Sequence, residues 1–149
     1  MPVAASCRLG EGVKIPYPEL VNLYGCTIGA GVFVGPFVEI QKGASVGDRS
    51  RVQSHAFLCE GVHIGAGVFV GHGVIFINDR APKANNPGWK LEETHVEDDV
   101  SIGSGAIVMC GLRLGKGCRI GAGAVVTKDV PPGATVAGMP ARTLPAKHS

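Results

Sequence analysis

The 149-residue chain is poor in aromatic side chains, in net charge and in long apolar runs. Aromatic residues make up 5% of it, with a single tryptophan, which excludes a thick core built from large rings. A net charge of +2 with dispersed Lys and Arg argues against a nucleic-acid or membrane partner. No run approaches the roughly 18 apolar residues of a membrane span, and residues 1–20 lack a signal-peptide core. We therefore expect a cytoplasmic protein that acts on small molecules.

Cysteine pairs with the spacing of redox or metal motifs are also absent. The five cysteines are odd in number and none forms a CxxC pair. This pattern predicts reduced thiols, with neither a disulfide framework nor a metal cluster.

What the chain does have is an apolar residue at every sixth position. No marker of this six-residue repeat is polar, and there are two runs of markers: Ile28, Val34, Ile40, Val46, Val52, Leu58, Ile64, Val70 and Phe76, then Val96, Ile102, Val108, Leu114, Ile120 and Val126. A helix would repeat every 3.6 residues and an ordinary strand every two, whereas hexapeptide repeats are typical of a parallel β-helix. The pattern predicts an all-β solenoid.

The other positions of each hexad agree with this fold. Four residues after nearly every marker comes a small or β-branched residue. Glycine recurs one and three residues after the markers, and these positions hold 17 of the 23 glycines. Small inward residues suit a narrow packed interior, and glycine suits the bends between short walls. Three hexads should form one coil, so residues 18 apart should stack.

Two interruptions divide the single domain. We expect an irregular capping coil over 1–27, β-helix over 28–76 and 96–130, an ejected loop over 77–95 and a C-terminal segment over 131–149 outside the solenoid. From Phe76 to Val96 is 20 residues, two more than a coil, and the segment between them is polar. Loops on a rigid scaffold concentrate function, so the active site is predicted beside this loop.

Two stretches carry a family resemblance. The hexads, the run from Gly121 to Pro132 and the closing Gly138 to Arg142 resemble hexapeptide-repeat acyltransferases, which use acetyl-CoA. The run from Val70 to Lys83 looks like nucleotide-sugar N-acetyltransferases that modify an amino group, often on sugar carbon 3, in bacterial surface-glycan (lipopolysaccharide) pathways. The resemblance implies a left-handed coil, although parallel crossovers are usually right-handed. It also implies a homotrimer with active sites between subunits.

Matching the superfamily pattern residue by residue implies five acetyl-CoA contacts. Ser104 and Ala122 are 18 apart, so they should stack on one corner, where backbone groups would hold the pantetheine arm. Thr127, Lys128 and Arg142 follow, and the two cations could meet the phosphates of CoA.

Applying the 18-residue spacing gives the acceptor site. Asn78 should lie one coil from Glu60, and His72 one coil from Ser54, so these four, with His55 and Asp79, should crowd the base of the loop. Acetyl transfer to an amine needs a neutral nucleophile, a donor for the oxyanion and a proton acceptor. Asn78, Glu60 and His72 are the catalytic candidates, while Ser54, His55, Asp79, Arg80 and Lys83 are candidate sugar-nucleotide ligands.

Three alternatives stay open. A sugar O-acetyltransferase would need a histidine base, for which His72 is the candidate. A metalloenzyme resembling the left-handed-helix carbonic anhydrases would use His55, His63 and His72, although their spacing does not match that family, and no metal is expected. The third is a non-catalytic module that binds a nucleotide sugar.

Overall fold

The computed structural model describes residues 2–145, which form a left-handed parallel β-helix with three walls. The first wall contains Arg8–Leu9, Thr27–Ile28, Ser45–Val46, Val62–Ile64, Thr94–Val96 and Arg113–Leu114. The second contains Phe33–Val34, Arg51–Val52, Phe69–Val70, Ser101–Ile102, Arg119–Ile120, Thr135–Ala137 and Arg142–Thr143. The third contains Asn22–Leu23, Glu39–Ile40, Phe57–Leu58, Ile75–Phe76, Ile107–Val108 and Val125–Val126. Pro18–Leu20 is one turn of 3-10 helix.

The 18-residue stacking predicted from the repeat is confirmed within each run. Ile28 pairs with Val46 on the first wall, and Ile40 pairs with Leu58 on the third. All fifteen markers are buried. The fourteen residues that lie four positions after every marker except Phe76 are buried as well. The interior is therefore the stack of small aliphatic side chains that the composition indicated. Between residues 2 and 145 no helix is long and apolar enough to cross a bilayer.

The loop enlarges one corner without disturbing the walls. Across it, paired residues are 32 apart, as in His63 with His95 and Phe69 with Ser101. Since paired residues within each regular run are 18 apart, the loop adds 14 residues. Val96 thus lies on the first wall, which the chain enters next after leaving the third wall at Phe76. The expectation that the segment from Phe76 to Val96 is a complete coil plus two residues is wrong. The markers look alike on all three walls, so the repeat alone cannot tell which wall a marker occupies.

The boundaries of the two irregular segments also differ from expectation. Thr94 and His95 belong to a strand, so the loop runs over 77–93 rather than 77–95. Thr135–Ala137 pairs in parallel with Arg119–Ile120, and Val136 is buried. For residues 135–137 the expectation of a segment outside the solenoid is therefore wrong; Arg142–Thr143 then folds back antiparallel. The rest of that predicted segment, 146–149, lies outside the described residues.

The N-terminal segment contributes strands to the end of the stack. Arg8–Leu9 pairs with Thr27–Ile28, and Asn22–Leu23 pairs with Glu39–Ile40, at offsets of 19 and 17. These two offsets differ from the regular spacing of 18 by one residue in opposite directions, as suits an irregular first coil.

The three edges of the prism place the side chains that matter for function. We call the corner column between the second and third walls the serine edge; it carries Phe37, Ser54, His55, His72, Ser104 and Ala122. The loop leaves the column between the third and first walls, here called the loop edge, which carries Glu60, Asn78, Glu92, Cys110 and Lys128. Two columns of candidate site residues thus flank the third wall.

Candidate active site

The entry of the loop is tied to the coil next to it. The Asn78 side-chain Nδ2 donates to the Glu60 main-chain carbonyl at 3.0 Å, which bears out the predicted stacking of these residues. Trp89 Nε1 donates to the Asn78 main-chain carbonyl at 3.2 Å, so the tryptophan fastens the loop to its own base. On the solenoid side, Glu60 N donates to the Gln41 side-chain Oε1 at 3.1 Å. The Asn78 amide is therefore held in one orientation on a rigid support.

The exit of the loop has a separate anchor built on an ion pair. Arg80 Nε donates to both Glu92 carboxylate oxygens, at 3.2 and 2.9 Å, and its terminal nitrogen donates to the Cys110 carbonyl at 2.8 Å. Cys110 Sγ donates to Glu92 Oε2 at 3.4 Å. The hydrogen bond from Arg80 lowers the pKa of Glu92, and burial together with the Glu92 carboxylate raises the pKa of the Cys110 thiol. The carboxylate is thus ionised and the thiol protonated at neutral pH.

Leu91 adds an apolar contact to this anchor. It lies so close to Gly61 that a Cβ there would come within 2.9 Å of Leu91 Cδ1. Gly61 has a φ of 93°, which side chains rarely adopt, so the backbone conformation favours glycine at this corner, and the missing side chain leaves room for Leu91.

A hollow of about 430 Å³ opens on the outer face of the third wall beside the loop entry. It is lined mainly by apolar side chains, with polar groups confined to the loop: Phe57, Ile75, Phe76, Ile77, Met109 and Pro82, then Asn78, Asp79 and Arg80. Small-molecule sites have this composition, an apolar concavity with a few placed polar groups. Three of the predicted acceptor-site residues therefore line one hollow.

The serine edge holds the predicted histidine pair. Ser54 Oγ and His72 Nδ1 are 2.9 Å apart, and both residues are accessible to solvent. His55 packs against Phe37 with ring centroids 4.9 Å apart and ring planes tilted by 33°, and both have left-handed φ values, 66° and 61°, which non-glycine residues seldom adopt. The hydrogen bond orients the imidazole of His72, and packing holds that of His55.

The predicted acceptor residues do not all meet within one chain. Asn78, Glu60 and Asp79 lie at the loop edge, whereas Ser54, His55 and His72 lie at the serine edge, on the opposite side of the third wall. The expectation that all six crowd one region is wrong for a single chain. The spacing of 18 identifies residues in the same column, and a difference of six, as between His72 and Asn78, moves along the chain to the next corner.

The serine edge also links the two predicted sites. The His72 carbonyl accepts from Gly105 N at 2.8 Å, and the Ser104 carbonyl accepts from Gly123 N at 2.9 Å. Ser104 is thus the stacking neighbour of His72, and Ala122 that of Ser104. Two acceptor candidates, Ser54 and His72, and two cofactor candidates, Ser104 and Ala122, therefore form one continuous column, a relationship that the 32-residue offset hides in the sequence.

The remaining cofactor candidates gather at the last coil. Lys128 and Arg142 line one cavity of about 240 Å³, together with Val126, Asp129, Val130, Val136, Ala141 and Thr143. Thr127 is exposed beside it. Two cations at one concavity provide complementary charge for a phosphate group. Ala122 and Lys128 therefore flank the final strand of the third wall on its two edges.

The other predicted sugar-nucleotide ligands differ in how many contacts they already make within the chain. Arg80 is committed to the loop anchor, which weakens its assignment to a diphosphate. Asp79 Oδ1 accepts from Ala81 N at 3.1 Å, and Lys83 is exposed. Sequence reasoning missed Glu92 and Cys110, although counting 18 back from Cys110 reaches Glu92.

His63 lies apart from the other candidate histidines. On the first wall it stacks on His95, with centroids 5.0 Å apart, and Ser45 Oγ is 2.9 Å from its Nδ1. His55 and His72 lie on the serine edge, so the three histidines of the metalloenzyme alternative do not converge within the chain. In residues 2–145 no three His, Cys, Asp or Glu side chains are grouped to hold a metal ion.

Comparison with known proteins gives a family match. The family described as bacterial transferase hexapeptide (six repeats) matches residues 25–60 and 93–128. The bifunctional protein GlmU of Acidithiobacillus ferrooxidans is 32% identical over 161 aligned positions, which cover 96% of this chain and 33% of GlmU. The chain spans about a third of the length of the curated relatives it matches.

Two solved structures share the architecture. The acetyltransferase domain of PglB from Neisseria gonorrhoeae, in complex with acetyl coenzyme A, has a TM-score of 0.69 and 26% identity, over 84% of this chain and 58% of that one. GDP-perosamine N-acetyl transferase from Caulobacter crescentus, in complex with CoA and GDP-perosamine, has a TM-score of 0.71 over 97% of this chain and 56% of the other. At 22% identity the second similarity shows the fold alone.

Proposed function

The chain belongs to the hexapeptide family of bacterial transferases, and from this membership we propose that it is an acetyl-CoA-dependent N-acetyltransferase. Its acceptor is the amino group of a nucleotide-linked amino sugar, UDP- or dTDP-linked, and its product serves surface-glycan biosynthesis. The acetyltransferase domain of PglB supports the reaction class, since its structure contains acetyl coenzyme A.

One observation carries the acceptor assignment: a fixed asparagine lines the apolar hollow on the third wall. One Nδ2 hydrogen of Asn78 is engaged by the Glu60 carbonyl, and the side-chain oxygen Oδ1 can accept a hydrogen bond from an amine. A sugar ring has apolar faces that suit Phe57 and Ile75, and an amino group that suits this amide oxygen.

The reaction needs little protein chemistry beyond positioning. The neutral amine nitrogen attacks the thioester carbonyl carbon, the new C–N bond forms and the C–S bond breaks, and the amine proton passes either to Glu60 or to the departing CoA thiolate. Asn78 orients the lone pair of the nitrogen, and Glu60, beside it on the loop edge, attracts the amine or takes its proton. No metal takes part in this scheme.

Acetyl-CoA is assigned to the last coils. Ser104 and Ala122 are exposed on the serine edge, where they offer backbone groups to the pantetheine arm, and Thr127 follows on the third wall. Lys128 and Arg142 share a cavity, where their charges attract the phosphates of CoA. This placement leaves the hollow near Asn78 for the acceptor.

We further infer that the active unit is a homotrimer, with each site completed by a neighbouring subunit. The outer side chains of the third wall support this, since Phe57, Ile75, Ile107 and Val125 are apolar and partly or fully exposed. Exposed apolar surface of this kind favours association. A second subunit could also bring its serine edge toward the loop edge of the first, uniting His72 with Asn78. Light scattering coupled to size-exclusion chromatography tests the trimer directly.

A sugar O-acetyltransferase is the second candidate function. The 2.9 Å contact between Ser54 Oγ and His72 Nδ1 favours it, since an oriented imidazole can take a proton from a hydroxyl through its other nitrogen. Here His72 would be the base, and the acceptor oxygen would replace the amine nitrogen.

Thiol release from acetyl-CoA distinguishes the two functions. The purified chain is assayed against UDP- and dTDP-linked 3-amino and 4-amino sugars, with the matching hydroxyl sugars as controls. We expect activity on an amino sugar and none on its hydroxyl analogue. Activity confined to the hydroxyl analogues would establish O-acetylation, and binding of nucleotide sugar without thiol release would indicate a non-catalytic module.

A further inference from the structure

Two of the five cysteines face each other at the open end of the solenoid. The strand Arg8–Leu9 pairs with Thr27–Ile28 in register, Arg8 opposite Thr27, so the residues just before them, Cys7 and Cys26, are also opposite. Arg8 N donates to the Cys26 carbonyl at 2.9 Å, which continues the ladder to this point. Cys26 Sγ lies 3.6 Å from Cys7 Sγ.

This geometry suits a covalent bond. Neighbouring strands of a sheet lie about 4.8 Å apart, and the Cα atoms of disulfide-bonded cysteines are usually about 4.4 to 6.8 Å apart. Directly opposite residues on adjacent strands meet that condition without movement of the backbone. The two sulfurs need only a modest side-chain rotation to reach bonding distance.

The other three cysteines have different surroundings. Cys59 Sγ donates to the Phe76 carbonyl and Cys110 Sγ donates to Glu92, while Cys118 lies in the interior. Among residues 2–145, Cys7 and Cys26 are the pair whose thiols are hydrogen-bonded to each other. Cys7 is partly exposed at the end of the stack, so an oxidant can reach it, and Cys26 is buried directly behind it.

We propose that Cys7 and Cys26 are a redox modification site, forming a reversible disulfide that fastens the terminal coil to the rest of the solenoid. The oxidant is a low-molecular-weight disulfide. The Cys7 thiolate attacks one of its sulfurs, giving a mixed disulfide and one released thiol. Cys26 then loses its proton and attacks Cys7 Sγ, which expels the second thiol. Two protein thiols and one small disulfide thus become one protein disulfide and two small thiols.

The order of attack follows from the surroundings of the two sulfurs. Burial, the hydrogen bond with Cys7 and the charge of the Cys7 thiolate raise the pKa of Cys26 to about 12. Cys26 therefore stays protonated until Cys7 has formed the mixed disulfide. Cys7, the accessible partner, therefore reacts first, and Cys26 resolves the mixed disulfide once that neighbouring charge has gone.

The bond would close a loop that contains the least supported part of the fold. Arg8–Leu9 has a strand neighbour on one side only, and the segment from Lys14 to Leu20 is mostly exposed. Cross-linking residues 19 positions apart reduces the freedom of the open state. Oxidation should therefore suppress local opening of residues 8–25 while leaving the later coils unchanged.

Peptide mapping of the intact chain tests the bond. After incubation with glutathione disulfide and alkylation, trypsin should release peptide 1–8 joined to peptide 15–42, with loss of two hydrogens and separation by dithiothreitol. Cys118→Ala should behave like the parent chain, whereas Cys7→Ala and Cys26→Ala should lack the joined peptide. A persistent glutathione adduct on Cys7, or equal yields of cross-links to Cys59 or Cys110, would overturn the proposal without any variant having to fold.

Hydrogen exchange tests the fastening role. Amides within residues 8–25 should exchange at least about tenfold more slowly in the oxidised chain than in the reduced one, and those of residues 101–126 should exchange at equal rates in both. A joined peptide without local protection would show that the bond forms but does not fasten the coil.

Discussion

The side-chain amide of Asn78 donates to the main-chain carbonyl of Glu60 across 3.0 Å, and this contact couples the loop to the solenoid. The carbonyl belongs to a corner of the rigid stack, so the amide is fixed by an element that does not depend on the rest of the loop. A residue that must orient an amine benefits from this kind of support, because catalytic geometry tolerates little displacement.

Replacing Asn78 with alanine should lower kcat on the order of a hundredfold, as is typical when one oriented polar group is removed from a transition state. Acetyl-CoA binding, measured by calorimetry, should stay nearly unchanged because the cofactor residues lie on other coils. Asn85→Ala, in the exposed part of the same loop, is the matched control and should keep full turnover. Normal turnover in Asn78→Ala would remove this residue from the mechanism.

Removal of the Arg142 charge should act on the cofactor. Arg142→Ala should raise the Kd for acetyl-CoA about tenfold, the loss of roughly 1.4 kcal/mol of charge-assisted hydrogen bonding, with little change in the KM for the sugar. Arg8→Ala, an exposed arginine at the opposite end of the stack, controls for net charge. If Arg142→Ala weakens both substrates equally, the residue supports the fold of the last coil instead.

The Arg80 and Glu92 anchor should release the loop in acid. The pKa of Glu92 is held below its ordinary value of about 4.5, so the anchor is complete above that pH and is lost as the pH falls through the lowered pKa. Trp89, the single tryptophan, reports this as a red shift of its fluorescence. Glu92→Gln should show the shifted emission already at pH 7, and Glu11→Gln should follow the parent chain. An unshifted Glu92→Gln spectrum would mean that the loop holds without the ion pair.

A methyl group at Gly61 should disturb the loop, while a methyl group at Gly117 should not. Gly61→Ala introduces a Cβ against Leu91, in addition to the cost of about 1–2 kcal/mol for a side chain in left-handed conformation. Gly117→Ala has a comparable φ of 70° with nothing within 4 Å of the added carbon, so it isolates the backbone cost. Denaturant unfolding should show both losses, and only Gly61→Ala should change the Trp89 emission. Identical emission would place Leu91 outside the loop anchor.

Most of the fold could be predicted from the sequence because a single period sets every wall. The inward side chains, from Val32 to Ala124, are buried as the hexad pattern predicts. The third position after the marker is left-handed for thirteen of the fifteen markers, including at His55, where no glycine signals it. Local sterics of a repeated corner fix these features, so each hexad carries the information it needs.

The site could be predicted only in part, because it depends on contacts between coils across an insertion. Asn78 over Glu60 lies before the insertion, where counting by 18 holds. Ser104 next to His72 depends on which wall the chain rejoins, and similar markers on all three walls leave that undetermined. The Arg80 anchor is also a property of the folded loop, whose polar residues have no period.

The unbroken register on either side of the loop has a consequence for how such enzymes diversify. Fourteen added residues leave His63 paired with His95 just as Ser45 pairs with His63, so the scaffold is insensitive to what this corner carries. Lineages could therefore exchange loops of different length and sequence, and with them acceptor preference, while the coils assigned to the acetyl donor are inherited intact. In laboratory evolution, residues 79–91 would be the segment to randomise first.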